Sequence, residues 1–494
     1  MAFKETWSSK TIFILAAIGA AAGLGNLWRF PYMVYENGGG AFLFAYFIIL
    51  LCFGLPLVIM EVAFGQRAQT EVVQAYRNAA GNFGRFVGYL VMGVVTLIAG
   101  YYAVIIAWGI DFLLASPTLA WGKDPENFFY NQILSLSEGP SVWNGFSWPV
   151  VFALAATYVL VYFCLFKGIK SVGKAVKWTV PLPFILLLIL FINSLYLPGS
   201  KIGFAYFLVP DWSQLAQVGL WKDALTQAFF SMNIGLGITI LYSSCNPQRQ
   251  RVAMSGLLIA LGDAAVSLVS GLVIFGTLGW MSQAQGISIS NLIASGPTLA
   301  FVTLPNALAL LPTGAQIFSV LFFISILTLA IDSLFSMIET VSAALRRQFG
   351  LLARFHRSTF TAALCFLFFL WSLVFAGGNG LYRLDILDHF IFGHLFYFTI
   401  LLQLIIIGWW LPVEKLRIYI NHVSGFIMPV AFDTLIKYIA PTIFAWVYIL
   451  DLPAELSQKY GDYPSDQILW WGLFPMVLCV GLAAVFAFDT KKTK

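Results

Sequence analysis

The chain has 494 residues, of which 60 % are hydrophobic and 10 % charged, with a formal net charge of +5. Apolar runs long enough to cross a bilayer recur from end to end, which excludes a soluble or disordered chain, or a lone signal peptide before a soluble domain. The positive excess lies in short loops and does not imply nucleic acid, and Cys52, Cys164, Cys245, Cys365 and Cys479 lie in or near apolar runs without metal-type spacing, so neither a disulfide framework nor a zinc site is expected.

Twelve spans follow in chain order: 11–34, 41–65, 87–115, 149–166, 178–198, 222–243, 252–281, 313–344, 359–376, 386–411, 427–450 and 468–488. With the N-terminus inside, the cytoplasmic segments hold Lys4, Lys10, Arg67, Arg77, Arg85, Lys167, Lys170, Lys174, Lys177, Arg249, Arg251, Arg346, Arg347, Arg354, Arg357, Lys415, Arg417, Lys491, Lys492 and Lys494. The outer segments and span edges hold Lys123, Lys201, Lys222, Arg383 and Lys459. This is 20 cations against 5, with Arg29 and Lys437 inside spans, and it predicts both termini in the cytoplasm. The loop 116–148 is polar and aromatic, without an Asn-x-Ser/Thr acceptor, and 284–312 reads as an external helix–turn–helix cap.

Span 1 carries "GAAAGLGN" at mid-depth, and span 6, five spans later, carries "SMNIGLGI". A glycine-broken helix leaves carbonyls that suit a cation and amides that suit a carboxylate. Such backbone survives at membrane depth only where it is buried or lines a cavity, and paired breaks in matching halves point to a transporter site. A kink packed by small residues is the alternative.

Five carboxylates, Glu61, Asp111, Asp263, Asp332 and Glu339, fall inside spans, where each costs a few kcal/mol (roughly) unless satisfied. Asp332 and Ser333 follow Leu329 by three and four residues on one helical face, a half-site for a hard cation, and Asp263 and Ser267 form an i, i+4 pair. For any one aspartate a hydrogen bond to a neighbouring helix is the alternative, and it is preferred for Asp111. Glu61 is a candidate to hold the broken backbone of span 6. Arg29 and Asp388 stand at similar outward depth and could pair across a pathway or snorkel separately. Tyr101 and Tyr102 are either packing aromatics or aim a hydroxyl at a carboxylate. His356, His389, His394 and His422 form no metal-like pattern and no P-loop is present, so neither an enzyme nor an ATP-driven pump is expected.

"KETW", "GLGNLWRFPY", "ENGGGAF", Glu61, Tyr101–Tyr102, "QAFFS" and "LTLAIDS", in order and at matching spacing, resemble the neurotransmitter:sodium symporter family, and the short loop between spans 3 and 4 resembles its prokaryotic amino-acid branch. The resemblance implies an all-α polytopic membrane protein of 12 transmembrane helices in a single domain, 1–494. That domain would hold a 5+5 inverted repeat (11–198 and 222–411), broken helices 1 and 6, and two added helices in 427–488. It implies two sodium sites and no organic cofactor. One site would use carbonyls of Gly19, Ala22 and Leu329 with the side chains of Asp332 and Ser333. The other would use the Ala21 carbonyl, Asn26, Ser231 and Asp263. The substrate carboxylate would meet Gly25 and Tyr102, and its amine the carbonyls of Ala21, Phe230 and Ser231. Ile98, Phe230, Asn233, Leu236, Ser333 and Met337 would line the side-chain pocket. Tyr102 and Phe230 would form the inner layer of an external gate and Arg29 with Asp388 the outer.

Gly23 stands where monoamine-carrying members of the family have Asp, which leaves room for a substrate bringing its own carboxylate; Asn233 is the polar element of an otherwise apolar wall. Asp263 departs from chloride-dependent members, which have Asn there, although Tyr46, Gln227, Ser231 and Ser267 match their chloride pattern. Two sodium ions balance Asp263 and Asp332, so a further buried anion is disfavoured. At the inner face the family pattern gives Lys4 no acidic counterpart, because Arg347 fills the expected position, and Glu5 with Arg347 is the swapped latch expected in its place. Gly173 and Pro183 resemble a pattern that lets span 5 unwind, with an ordinary span start as the alternative. The expected function is sodium-coupled import of a neutral amino acid by alternating access, independent of chloride, in the plasma membrane of a prokaryote. A transport-dead sensor or a carrier of a betaine-like zwitterion is the alternative. The partners expected are that substrate and the lipid bilayer, with the oligomeric state open.

Overall fold

The structure, a computed structural model, describes residues 5–293, 296–425, 427–457 and 459–488. Lys4, Lys491, Lys492 and Lys494, used above for the latch and the topology, lie outside them. The described residues are helical nearly throughout, with two isolated β-bridges, Gly39–Pro210 and Phe146–Gly377. Ten helices are long and apolar enough to cross a membrane. They are span 2 (Gly40–Ala68), span 3 (Val72–Ala115), span 4 (Trp148–Leu165), span 5 (Ile169–Leu195), span 7 (Val252–Gln285), span 8 (Ala315–Gln348), span 9 (Arg357–Phe375), span 10 (Gly380–Trp410), span 11 (Ala431–Leu450) and span 12 (Ser465–Phe488). An eleventh is span 1, Lys10–Ala21 with Gly25–Glu36, bent by 57°. The two halves of span 6, Val218–Ser231 and Ile238–Ser244, occupy the remaining expected position.

Local chemistry sets several boundaries. Ser9 caps span 1, its hydroxyl accepting from Ile12 N at 3.3 Å. Glu71 caps span 3 by accepting from Val73 N at 2.7 Å and Gln74 N at 3.0 Å. Pro149 stands in the first turn of span 4, where its missing N–H is harmless.

Two boundaries differ most from those expected. Span 3 starts at Val72 rather than 87, because the polar stretch before the apolar run is also helical; Ala80 and Gly81 (φ +60°) kink it within that polar stretch. Span 5 starts at Ile169 with an amphipathic segment whose Lys170, Lys174 and Lys177 face solvent. Its irregularity falls at Val180, between Thr179 and Pro181, one turn before the buried Pro183.

Span 3 runs through the centre, packed along span 8 and against spans 4 and 12, while span 7 packs on spans 1, 2 and 5. The outward faces of spans 4 and 12 carry Phe152, Phe163, Val477 and Val485, all exposed, as a lipid-facing surface requires. Short helices Ile289–Leu292 and Leu304–Ala309 lie between spans 7 and 8 in the segment expected to form a cap, and Gly296 and Pro297 between them reach the central cavity.

Candidate functional site

The site is built from the two interruptions. In span 1 the helix stops at Ala21, and Ala22 turns out of it at φ −70°, ψ 108°. The groups released find new partners: Gly23 N donates to Asn26 Oδ1 at 2.9 Å, and Leu24 N to the Tyr102 hydroxyl at 3.3 Å. In span 6 the residues 232–237 leave the helix, with positive φ at Asn233 (54°), Gly235 (87°) and Gly237 (72°). Glycine is needed at 235 because a Cβ there would sit 2.5 Å from Ile400 Cγ1 in a backbone conformation side chains avoid. Glu61, fully buried, accepts from Gly235 N and from Gln403 Nε2, each at 2.8 Å, and Gln403 Oε1 accepts from the Tyr76 hydroxyl. Glu61 therefore holds the broken backbone, as its position suggests, and Gln403 and Tyr76 are supports that no sequence signal marks.

The breaks face one cavity of about 290 Å³. Every residue expected to touch substrate lines it: Ala21, Gly23, Gly25, Ile98, Tyr102, Phe230, Ser231, Asn233, Leu236, Ser333 and Met337. So do Asn26, Arg29 and Asp388. The backbone approaches closely here: a Cβ on Gly25 would lie 2.4 Å from Phe230 Cε1, and one on Gly23 would lie 2.9 Å from both Ser333 Oγ and Tyr102 Oη.

Two polar clusters adjoin the cavity. In the first, Asn26 Nδ2 lies 2.8 Å from Ser231 Oγ, 2.7 Å from Asp263 Oδ1 and 2.8 Å from Ser267 Oγ. Ser231 Oγ donates to the Asp263 carboxylate at 2.7 Å, and Tyr46 lies beside Asp263 and Ser267. In the second, Asp332 is 1 % exposed and neither carboxylate oxygen has a hydrogen-bond partner of good geometry among the described residues; the Thr179 hydroxyl beside it donates to the Ala175 carbonyl at 3.1 Å instead. A Cβ on Gly19 would stand 2.6 Å from its Oδ2, and Ala22 and Leu329 are buried with it. A buried carboxylate without donors is costly, and a cation held with backbone carbonyls would satisfy it. No group of three or more His, Cys, Asp or Glu able to hold a metal occurs among the described residues; the donors gathered at Asp332 are oxygens, the kind a hard cation takes.

At the outer end Arg29 and Asp388 both line the cavity but do not pair in this structure. Arg29 donates to Gln227 Oε1 at 2.8 Å and lies 5.2 Å over the Phe230 ring, while Tyr101 donates to Asp388 at 2.6 Å. Of the adjacent tyrosines, Tyr101 is the one aimed at a carboxylate, and Tyr102 binds the backbone of span 1. Phe392, unmarked in the sequence, packs edge-on against Phe230 at 4.6 Å between centroids. At the inner end the latch differs from Glu5–Arg347. Arg357 bridges Glu5 and Glu339, and Glu5 also accepts from Ile169 N at 3.1 Å. The Trp7 ring is buried beside it, donating to the Tyr242 carbonyl at 2.7 Å. Asp111, preferred as structural, is partly buried near the outer end of span 3, and its Oδ2 has no partner among the described residues.

A sequence profile described as the Sodium:neurotransmitter symporter family matches residues 4–125 and 122–491. The chain is 35 % identical over 481 residues to an uncharacterised sodium-dependent transporter of Methanocaldococcus jannaschii, covering 97 % of each. It is 34 % identical over 428 residues to the sodium- and chloride-dependent creatine transporter 1 of Bos taurus, covering 78 % of this chain and 67 % of that one. It is 32 % identical over 493 residues to the sodium-dependent dopamine transporter of Bos taurus, covering 93 % and 71 %.

Proposed function

Because the chain belongs to the sodium:neurotransmitter symporter family, whose members are sodium-dependent transporters and not enzymes, we propose that it imports a neutral amino acid coupled to sodium by alternating access. The observation that carries the reading is Asp332: a buried carboxylate with no donor, set against the break in span 1, on a cavity that the break in span 6 also lines. One sodium ion sits between Asp332, Ser333 and the carbonyls of Gly19, Ala22 and Leu329. The other sits with Asn26, Ser231, Asp263 and the Ala21 carbonyl, next to the substrate carboxylate. Free peptide groups at the breaks hold the zwitterion's two ends. Residues 11–198 and 222–411 act as inverted repeats, with 427–488 added to them. The protein lies in a prokaryotic plasma membrane with both termini inside.

Transport is independent of chloride. Relatives named as sodium- and chloride-dependent include carriers of creatine and taurine. In this chain Asp263 already brings a negative charge into the cluster of Asn26, Ser231 and Ser267. With two sodium ions and a zwitterion the buried charges cancel, and an added anion would be unbalanced.

Sodium and substrate each shift the equilibrium only by binding one conformation better than another. The outward-facing cavity is closed by Phe230 over Tyr102, and Arg29 then exchanges Gln227 for Asp388. Uptake of labelled amino acids into proteoliposomes tests the reading. Uptake should require an inward sodium gradient, persist when gluconate replaces chloride, and be lost in Asp332→Asn. Sodium-dependent binding without uptake would identify a sensor; loss of uptake in gluconate would refute chloride independence.

A further inference from the structure

One wall of the cavity offers acceptors only. Asn233 is fixed at φ +54° in the break of span 6, and its Nδ2 donates to the carbonyl of Ala20. The Ser333 hydroxyl donates to the same oxygen at 3.1 Å. That carbonyl is available because Leu24 N, the group four residues on that would close a helical turn, bonds the Tyr102 hydroxyl instead. Reversing the Asn233 amide would set Oδ1 against the Ala20 oxygen, two acceptors face to face, so the amide orientation is determined by the break in span 1. Oδ1 is then the end of the amide left to the cavity that Asn233 lines, and no described residue donates to it. Ser333, its proton likewise committed, adds lone pairs, while Ile98, Leu236 and Met337 supply an apolar remainder.

We infer that the site selects a neutral amino acid whose side chain carries a hydrogen-bond donor, a hydroxyl or a carboxamide, and that Asn233 Oδ1 reads that donor. The inference rests on the cavity being an amino-acid site. A bare aliphatic side chain would leave Oδ1 desolvated and unpaired, and sites that bond a substrate hydroxyl discriminate strongly against isosteres lacking it. A cationic side chain could also donate, but it would add an uncompensated charge to a site that two sodium ions and two aspartates already neutralise.

Threonine and valine are near-isosteres differing in this group, as are serine and alanine. Sodium-dependent binding to the purified full-length protein, measured by competition against labelled threonine and by thermal shift, should favour threonine over valine by about tenfold or more. Asn233→Ala should bring the ratio to within about twofold. Valine binding as well as threonine in the unaltered protein overturns the inference, and that comparison needs no variant to fold. So does an Asn233→Ala protein in which both ligands weaken equally, since Asn233 would then only brace the backbone. If none of the twenty amino acids gives a sodium-dependent response, the amino-acid reading itself fails and this inference with it.

Discussion

Removing Arg357 tests the inner latch most sharply. The Glu339 side chain is 3 % exposed, Arg357 22 % and Glu5 26 %. Glu339 cannot rehydrate in place, so Arg357→Ala strands a buried charge, a class of change that costs about 3–5 kcal/mol. Glu5 sits in a wetter position, and losing its half of the bridge costs no more than about 1 kcal/mol by the measure of partly exposed pairs. The single Glu5→Ala should therefore be mild in stability yet loosen the N-terminal segment, because it also removes the acceptor that holds Ile169 N at the start of span 5. Replacing both inner partners at once, Glu339→Gln with Arg357→Met, should recover most of the loss, since a neutral pair needs no buried compensation. Equilibrium unfolding in detergent, followed by tryptophan fluorescence, of the unaltered protein, Glu339→Gln, Arg357→Met and the double variant gives the four free energies of the cycle, with Arg357→Ala measured beside them. An Arg357→Ala cost below about 1 kcal/mol, or a double variant as unstable as the sum of its singles, would refute the reasoning.

Other consequences follow from the same contacts. Gly25→Ala should abolish sodium-dependent substrate binding while the protein still folds, because the added Cβ displaces the Phe230 ring from 2.4 Å; size-exclusion profiles and binding on the same sample check this. Glu71, outside the span proper, is raised by burial to about 7 from the usual carboxylate value. Its protonated form is thus favoured in the folded state, and the stability it contributes, on the order of 3 kcal/mol, is full below about pH 4.5 and lost as pH rises through 7. Glu71→Gln should flatten the thermal-melt midpoint across that window; an unchanged slope would show that Glu71 does not cause it.

The sequence by itself determined the elements. The apolar runs, the two interruptions and the intramembrane carboxylates were legible because each is local: a run of apolar residues, a glycine pair, a carboxylate inside a run; the residues of the cavity wall came only through the family pattern. The motif order added the family, and through it the assignment of Gly25, Tyr102 and Asn26 to one cavity, which the fold brings together as expected. Boundaries at polar stretches were less legible, since residues 72–86 and 169–177 are helical without being apolar.

Only the tertiary structure decided which polar groups meet. Arg347 and Arg357 are equally basic and ten residues apart; the turn after span 8 carries the second, not the first, onto Glu339 and Glu5. Arg29 bonds Gln227 while Asp388 takes the Tyr101 hydroxyl, and Asn233 turns its nitrogen to Ala20, more than two hundred residues away. A helix rotates its side chains by about 100° per residue, so small differences in where a helix enters and how it packs choose the partner. That choice is made by the assembled bundle, and no local run of residues encodes it.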